Sequence, residues 1–300
     1  KVSGHRGTVT KFIFVTQKGI PGTLQRADQT TAINMLDEQN FTVGPDGRFE
    51  ILFSAKRPEG YSGNWSELKP GADCIFSRYR MVNWETEVDP QMTIECLDKV
   101  GPKQRLTPEQ IRERVKLVAT VPANQNKIFF EMQNAIIRHV GINAFDPIRL
   151  PGIGTRQVYW PAVFQFDPDE ALIIETEMPK VRPYWNIQLN DELFNAVEYV
   201  YRQSHINAWN GHISPDGKLR AVISLQDPGV ANWLDPAGFT EGTIYGRWYD
   251  CDTQPTPTLK RVPLAKLREN LPGDFPPVTP EQRADQLARR IRACQRRRRW

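Results

Sequence analysis

The chain has 300 residues, of which 39% are hydrophobic, 25% charged and 10% aromatic, a composition typical of folded globular proteins rather than disordered or collagen-like ones. Its apolar runs are four residues or fewer, as in Phe12 to Val15, far short of the roughly 20 residues of a membrane-spanning helix. The net charge of +4 comes from eight arginines within residues 279–300, so the rest of the chain is mildly acidic and a uniformly basic, nucleic-acid-binding face is not supported.

The first half begins with β-strand patterns. A Pro45-Asp46-Gly47 turn precedes Phe49, Ile51 and Phe53, which occupy every second position, the period of a half-buried strand. We predict a hairpin over residues 40–54. Further strands are predicted over residues 8–16, 73–80 and 91–96.

Helices are predicted after these strands. Thr107 is a candidate N-cap with Pro108 at the first helical position, a typical helix start. Apolar residues then recur at helical spacing in two stripes, which we expect to face the core. The first stripe is Ile111, Val115 and Val118, and the second is Phe129, Met132, Ile136 and Val140.

The second half repeats this order. Strands are predicted over residues 184–189 and 243–249, and a hairpin over residues 207–225 surrounds a second Pro-Asp-Gly turn at Pro215. A short helix is predicted to begin at Asp191, with Leu193, Val197 and Val200 inward. A last helix from Pro280 to about residue 298 has Leu287, Ile291 and Cys294 on one side and arginines over most of the remainder.

Four blocks of the first half recur in the second with offsets of 168 to 172 residues, and this order-preserving similarity favours an internal duplication. The alternative is that common turn and helix-start motifs recur independently in the two halves. We therefore predict a mainly β, α+β fold of two tandem antiparallel β-sandwich units, residues 1–145 and 146–300, with a flexible linker near Gly152 to Thr155. The pairs are Pro45-Asp46-Gly47 with Pro215-Asp216-Gly217, Asn64-Trp65 with Asn232-Trp233, residues 75–79 with 244–248, and Thr107-Pro108-Glu109-Gln110 with Thr279-Pro280-Glu281-Gln282.

Motifs for metals and cofactors are absent from the sequence. The four cysteines form no Cys-x-x-Cys pair, and no phosphate-binding loop, dinucleotide fingerprint or nucleophile elbow occurs. His205 and His212 would point to opposite faces of a strand, so we expect no metal site and no cofactor. Sparse cysteine favours a cytoplasmic protein. Because the chain opens at Lys1 with strand-like residues, we expect that an upstream segment has been removed or left out.

One long signature resembles a known family. It covers roughly residues 180–265, and the arginine-rich last helix is also typical of that family, the bacterial domain-of-unknown-function family numbered twelve-fourteen. The resemblance implies a β-sandwich of jelly-roll type and implies no activity or catalytic residues. The signature consists of Tyr184-Trp185-Asn186-Ile187-Gln188-Leu189, then Asp227-Pro228-Gly229-Val230-Ala231-Asn232-Trp233-Leu234-Asp235, then Gly238 and Gly242-Thr243-Ile244-Tyr245-Gly246-Arg247-Trp248.

Acidic residues around the Asp-Pro-Gly loop are the catalytic candidates. Asp227 and Asp235 are found only in the second half, near His205 and Trp209, and an apolar aromatic wall can raise the pKa of one carboxyl while its neighbour stays ionised. Asp227, Asp235 and His205 could thus supply a general acid and base. Both aspartates also precede proline at typical turn starts, and the turn interpretation is favoured.

Aromatic residues of the second half supply the candidate ligand-binding set. Rings near strand ends can stack on sugar or sterol faces, Arg182 could contact an anion, and core packing is the competing interpretation. Asn232 and Arg247 belong to this set, although their counterparts Asn64 and Arg78 in the first half favour a structural role. The set is Arg182, Tyr184, Trp185, Trp209, Asn232, Trp233, Arg247 and Trp248.

These patterns leave two functional classes. The first is a hydrolase or lyase acting on a glycan or an alicyclic lipid in a cleft of the second unit. The second is a non-catalytic ligand-binding or assembly module, since fold does not fix function. The last helix is predicted to dock by Leu287 and Ile291, with homo-oligomer contacts next, and binding to nucleic acid or an anionic membrane least favoured.

Overall fold

The computed structural model describes residues 1–20, 23, 31–98, 101–102, 104–147 and 157–297. Within these ranges the chain forms fifteen β-strands in four sheets and two α-helices, so the predicted mainly β, α+β fold is confirmed. No helix in the described ranges has the length and apolar character needed to cross a bilayer. The predicted linker at Gly152 to Thr155 lies outside the described residues.

The chain separates into two compact units. The first comprises residues 1–81 and 87–128, and the second residues 82–86 and 129–300. These units differ from the predicted division after residue 145 at two segments, because residues 82–86 and 129–145 pack with the second unit. The boundaries of independent domains stay a prediction.

The first unit has two sheets around an apolar core. One sheet has the strand order β5-β4-β1-β7 and the other β3-β2-β6. Alternate residues of both sheets, such as Phe12, Phe14, Phe49 and Ile51, fill the core between them, as the period-two pattern predicted. The strands are β1 (Val2–His5), β2 (Lys11–Lys18), β3 (Thr31–Asp37), β4 (Arg48–Ser54), β5 (Asn64–Glu67), β6 (Cys74–Arg80) and β7 (Gln91–Ile94).

The second unit has the same two-layer construction with one more strand. Its sheets have the orders β11-β10-β14-β8 and β13-β12-β9-β15, and Trp160, Trp185, Ile187, Leu219 and Trp248 are among the buried residues between them. The strands are β8 (Gln157–Gln165), β9 (Glu170–Glu177), β10 (Tyr184–Asn190), β11 (His205–Asn207), β12 (Lys218–Ile223), β13 (Trp233–Leu234), β14 (Glu241–Tyr249) and β15 (Thr258–Pro263).

The strand orders of the two units correspond one to one, apart from the additional strand β8. Each unit also contains one parallel pair among otherwise antiparallel strands, and Leu52 opposite Trp65 in β4 and β5 matches Val222 opposite Trp233 in β12 and β13. The sandwiches are therefore antiparallel except at these two pairs. The finer jelly-roll assignment and the duplication itself stay predictions.

Equivalent asparagines make equivalent hydrogen bonds in the two units. The side chain of Asn64 accepts from Thr42 N and donates to Thr42 O and Glu50 O. The side chain of Asn232 accepts from His212 N and donates to His212 O and Arg220 O. Each asparagine hydrogen-bonds both to a loop residue, Thr42 or His212, and to a strand residue, Glu50 of β4 or Arg220 of β12. Both asparagines therefore have a structural role.

The first helix differs from the prediction. Helix α1 (Pro108–Val140) is continuous through Pro122, and Ile136 is buried as expected. Ile111, Val115 and Val118 are 49%, 62% and 69% exposed, so the prediction that this stripe faces the core is wrong. Helical spacing identifies an apolar face but does not specify whether another element covers it.

The remaining predictions of local structure are partly corrected. Turns replace the helix predicted from Asp191, because Phe194 and Glu198 adopt positive φ values that interrupt a right-handed helix. Both Pro-Asp-Gly turns form, but β11 and β12 belong to different sheets, so residues 207–225 are not an extended hairpin. Helix α2 (Pro280–Gln295) begins at Pro280 as predicted, and Thr279 and Gln282 form a capping box at its start.

Candidate functional site

Helix α2 buries two arginines. Arg283 and Arg290 are 5% and 3% exposed, although the sequence pattern predicts Leu287 and Ile291 as the docking residues. Arg283 pairs with Asp227 at 2.8 Å and donates to Val230 O. Arg290 donates to the carbonyl oxygens of Tyr199 and His205. The basic helix is therefore held on the second unit by specific polar contacts.

The sheet β11-β10-β14-β8 has one face against the core and one face lined by polar residues, which we call the polar face. Because neighbouring strands are in register, its side chains form rows across the sheet. One row contains Asn207, Asn186, Arg247 and Tyr159, and the next contains His205, Gln188, Tyr245 and Pro161.

Arg247 is the central cation of the polar face. Its guanidinium carbon lies 5.2 Å from the ring centroid of Tyr159 and 5.8 Å from that of Tyr245, distances typical of cation–π contacts. Its buried Nε has no hydrogen-bond partner, and within the described part of the chain no carboxylate pairs with this arginine. The neighbouring Asn186 is 2% exposed with an unpaired Oδ1. Unsatisfied buried polar groups are costly, so this row is suited to a polar ligand.

His205 lies under an aromatic and cationic cover at the edge of the polar face. Its ring stacks on Trp84 with centroids 4.9 Å apart, and Trp209 stacks on the same indole at 6.0 Å. The guanidinium of Arg290 lies 4.7 Å from the centre of Trp84, and its Nη2 is buried without a partner. Burial lowers the pKa of Arg290 to about 10. The region therefore contains two arginines without carboxylate partners among the described residues.

Stability should depend on the protonation of His205. Burial, then repulsion by Arg290 and Arg247, holds its pKa well below the ordinary 6.5. As pH falls below 6.5, His205 binds a proton in the unfolded chain but stays neutral in the folded chain. The free energy of unfolding should therefore fall by about 1.4 kcal/mol per pH unit. Urea titrations between about pH 5 and 7 would measure this slope. His205→Gln should flatten it and His212→Gln should retain it; an unchanged slope in the first variant would contradict the assignment.

The two candidate catalytic aspartates are each held by a turn and an arginine. Asp227 accepts from Gly229 N and from Arg283, and Asp235 accepts from Ala237 N and from Arg202. These contacts match the turn interpretation of both residues. His205 is instead packed against Trp84.

The candidate ligand-binding residues divide between core and surface. Trp185 and Trp248 are fully buried in the core, and Trp233 and Tyr184 are also buried. Arg182 is exposed and donates to carbonyl oxygens of its own turn, at Pro179 and Lys180. Of the predicted set, only Arg247 and Trp209 combine partial exposure with contacts on or beside the polar face.

Sequence reasoning missed Trp84, Tyr159, Asn186 and Arg290 as site residues. Trp84 comes from the first half of the sequence but packs with the second unit, and no spacing rule links it to His205. Asn186 and Tyr245 lie within the family signature, and alternation along β10 and β14 places them on the same face as Arg247. That alternation was the signal that could have identified the polar face.

A groove of about 600 Å³ also runs along α2, lined by residues that include Gln203, His212, Asn232 and Gln286. Its arginines are already neutralised, since Arg283 pairs with Asp227 and Arg289 with Glu85. Among the described residues no cluster of three or more histidine, cysteine, aspartate or glutamate side chains could hold a metal. None of the four cysteines forms a disulfide bond.

The fold and the polar face define a protein with two β-sandwich units, of which the second contains a cationic and aromatic site. Residues 167–253 match the family described as Protein of unknown function (DUF1214), and the predicted resemblance is confirmed over that segment. None of the curated proteins matches the chain.

Among the solved structures that resemble the chain are two bacterial proteins. One, an uncharacterized protein from Burkholderia cenocepacia, is 28% identical with a TM-score of 0.78, and the alignment covers 88% of this chain and 72% of that protein. The other, the VPA0106 protein from Vibrio parahaemolyticus, is 11% identical with a TM-score of 0.46 over 87% and 85% of the two chains.

Proposed function

We propose that the second unit is a ligand-binding module that takes a small anionic ligand on its polar face, with Arg247 as the anchoring cation. The observation that carries the proposal is the guanidinium of Arg247, stacked on Tyr159 and Tyr245 and without a carboxylate partner among the described residues. Stacking fixes the orientation of a planar group that can bind a carboxylate through two parallel hydrogen bonds.

A second arginine supports the anionic character of the ligand. Arg290 and Arg247 both lower the pKa of His205 through their charges, so both contribute positive potential near that end of the polar face. Fields of buried charges are weakly screened by salt. An anion would therefore be favoured over a neutral sugar at this position.

Comparison of the two units supports the choice of residues. If the units arose by duplication, residues with the same contacts in both, such as Asn64 and Asn232, would be explained by the shared fold. At an offset of 172 residues, Arg290 corresponds to Val118 of α1. The Arg290 contacts with His205 and Trp84 are therefore particular to the second unit.

The hydrolase or lyase alternative requires Asp227 or Asp235 to exchange protons with a substrate. Their ion pairs with Arg283 and Arg202 and their hydrogen bonds to turn N–H groups already occupy both carboxylates, which favours a structural role. If Asp227→Asn and Asp235→Asn both left turnover unchanged across glycan and lipid substrates, the carboxylate mechanism would be excluded. A large loss of turnover in either, with stability retained, would instead favour the enzyme.

Arg247→Gln should weaken binding of acetate, benzoate or phosphate by about 10- to 100-fold, because hydrogen bonds to a charged donor contribute about 1.5–3 kcal/mol. Isothermal titration calorimetry on the full chain would measure the affinity. Arg247→Lys should give an intermediate loss, since lysine keeps the charge without the stacked fork.

Arg182→Gln is the matched control, because Arg182 is an exposed arginine just before β10 whose guanidinium donates to carbonyl oxygens of its own turn. This variant should bind like the wild type. Equal affinities for all anions in the wild type and Arg247→Gln, or no binding to the wild type, would overturn the proposal.

A further inference from the structure

Four aromatic rings extend from Arg247 in a continuous series, which we call the ring row: Tyr159, Tyr245, Phe194 and Phe129. The centroids of Tyr159 and Tyr245 are 4.7 Å apart, those of Tyr245 and Phe194 5.8 Å, and those of Phe194 and Phe129 5.7 Å. All four rings belong to the second unit. A series of ring contacts thus begins at the cation and leads away from it.

We infer that the ligand of the polar face is an amphiphilic carboxylate, whose charged group pairs with Arg247 and whose acyl or aryl body lies along the ring row. This inference rests on the proposed anion site and adds the chemical class of the ligand. Most of a bound ligand's surface usually contacts apolar side chains, while a few polar groups fix its orientation. The ring row and Arg247 supply these two parts side by side.

The loop backbone fixes the position of the Phe194 ring. Phe194 has a φ of +61°, a left-handed conformation that is unfavourable for an L-residue with a bulky side chain. The Asp191 side chain holds the loop by accepting from the backbone N–H groups of Leu193 and Asn195. Asparagine or glycine would fit this conformation better, and the ring of Phe194 is held edge-on against Tyr245 at 5.8 Å.

The charge of the site favours a carboxylate over a phosphate. Arg247 is a single planar fork, which matches the two oxygens of a carboxylate. Burial raises the pKa of Tyr245 above its ordinary value, so its hydroxyl stays protonated and remains able to donate a hydrogen bond. Arg290 lies over Trp84 at the edge of the polar face, whereas Arg247 is the one cation among the described residues of its own row. The second charge of a phosphate dianion bound at Arg247 would therefore lack a partner in that row.

The experiment compares ligands that differ only in head group or body, using calorimetry on the full chain. The probes are acetate, hexanoate, octanoate and benzoate, with octanol and benzamide as neutral partners. In the wild type, affinity should rise along the series from acetate to octanoate by up to about fourfold per buried methylene. Benzoate should bind at least tenfold more tightly than benzamide. Phosphate should bind no more tightly than acetate.

Phe194→Asn removes one ring of the row and places a residue tolerant of positive φ in the strained position. It should keep the wild-type affinity for acetate and lose about tenfold in affinity for octanoate and benzoate. Circular dichroism and urea unfolding would check that the fold is retained.

Different results would overturn the anion site and the amphiphilic ligand class. If binding depends on Arg247 but does not increase with chain length in the wild type, the anion site stands and the amphiphilic class is wrong. If phosphate binds more tightly than every carboxylate, the ligand class is also wrong. If no carboxylate or phosphate binds in an Arg247-dependent way, both proposals are overturned.

Discussion

Replacing Gly246 with alanine is expected to destabilise the second unit by about 3 kcal/mol, the upper end of the usual range for overpacked cores. Gly246 of β14 lies opposite Trp160 of β8, and a Cβ atom at Gly246 would lie 2.1–2.2 Å from three ring atoms of that tryptophan. Trp160 is fully buried and packs against Phe145 and Trp248. The ring cannot move aside without disturbing the core, so the added methyl group must displace packed atoms.

Urea unfolding of the full chain would measure the loss as a shift of the transition midpoint. Gly273→Ala is the matched control, because nothing lies within 4 Å of a Cβ atom there, and its effect should be within about 0.5 kcal/mol. The double variant Gly246→Ala, Trp160→Leu should be more stable than the sum of the single losses predicts, because leucine leaves room for the methyl group. Strict additivity would show that the clash is not the cause.

Asn232→Ala should cost about 2–4 kcal/mol of unfolding free energy. The buried side chain of Asn232 makes three hydrogen bonds of 2.6–2.7 Å with backbone atoms of His212 and Arg220. Alanine would leave those buried groups without hydrogen-bond partners, at a cost of about 1–3 kcal/mol for each unsatisfied group. The φ of +54° at this position is also tolerated better by asparagine than by alanine. Thermal and urea unfolding would measure the loss.

Asn64→Ala is the companion variant in the first unit. It removes the same set of three hydrogen bonds, but Asn64 is only half-buried, so water can replace part of them and the loss should be smaller. If Asn232→Ala bound benzoate more weakly while its stability stayed unchanged, the sequence-based assignment of Asn232 to ligand binding would regain support.

The candidate site was only partly predictable. Arg247 and Trp209 were among the predicted ligand-binding residues, but Asn232 was assigned to the same set although its bonds serve the backbone. The pattern of α2 predicts docking through Leu287 and Ile291, with the arginines over most of the remaining helix surface. Arg283 and Arg290 are buried because fixed partners, including Asp227 and the carbonyl oxygens of Tyr199 and His205, replace water around their guanidinium groups.

The amino-acid sequence by itself determined much of the local structure: period-two strands, the Pro-Asp-Gly turns and the helix starts at Thr107 and Pro280. These features depend on residues close together in the chain, where backbone sterics and alternation act directly. Only the tertiary structure decided which faces are covered. It exposed Val118, buried Arg290, and brought Trp84 against His205 across 121 sequence positions, because burial depends on long-range packing that no local pattern encodes.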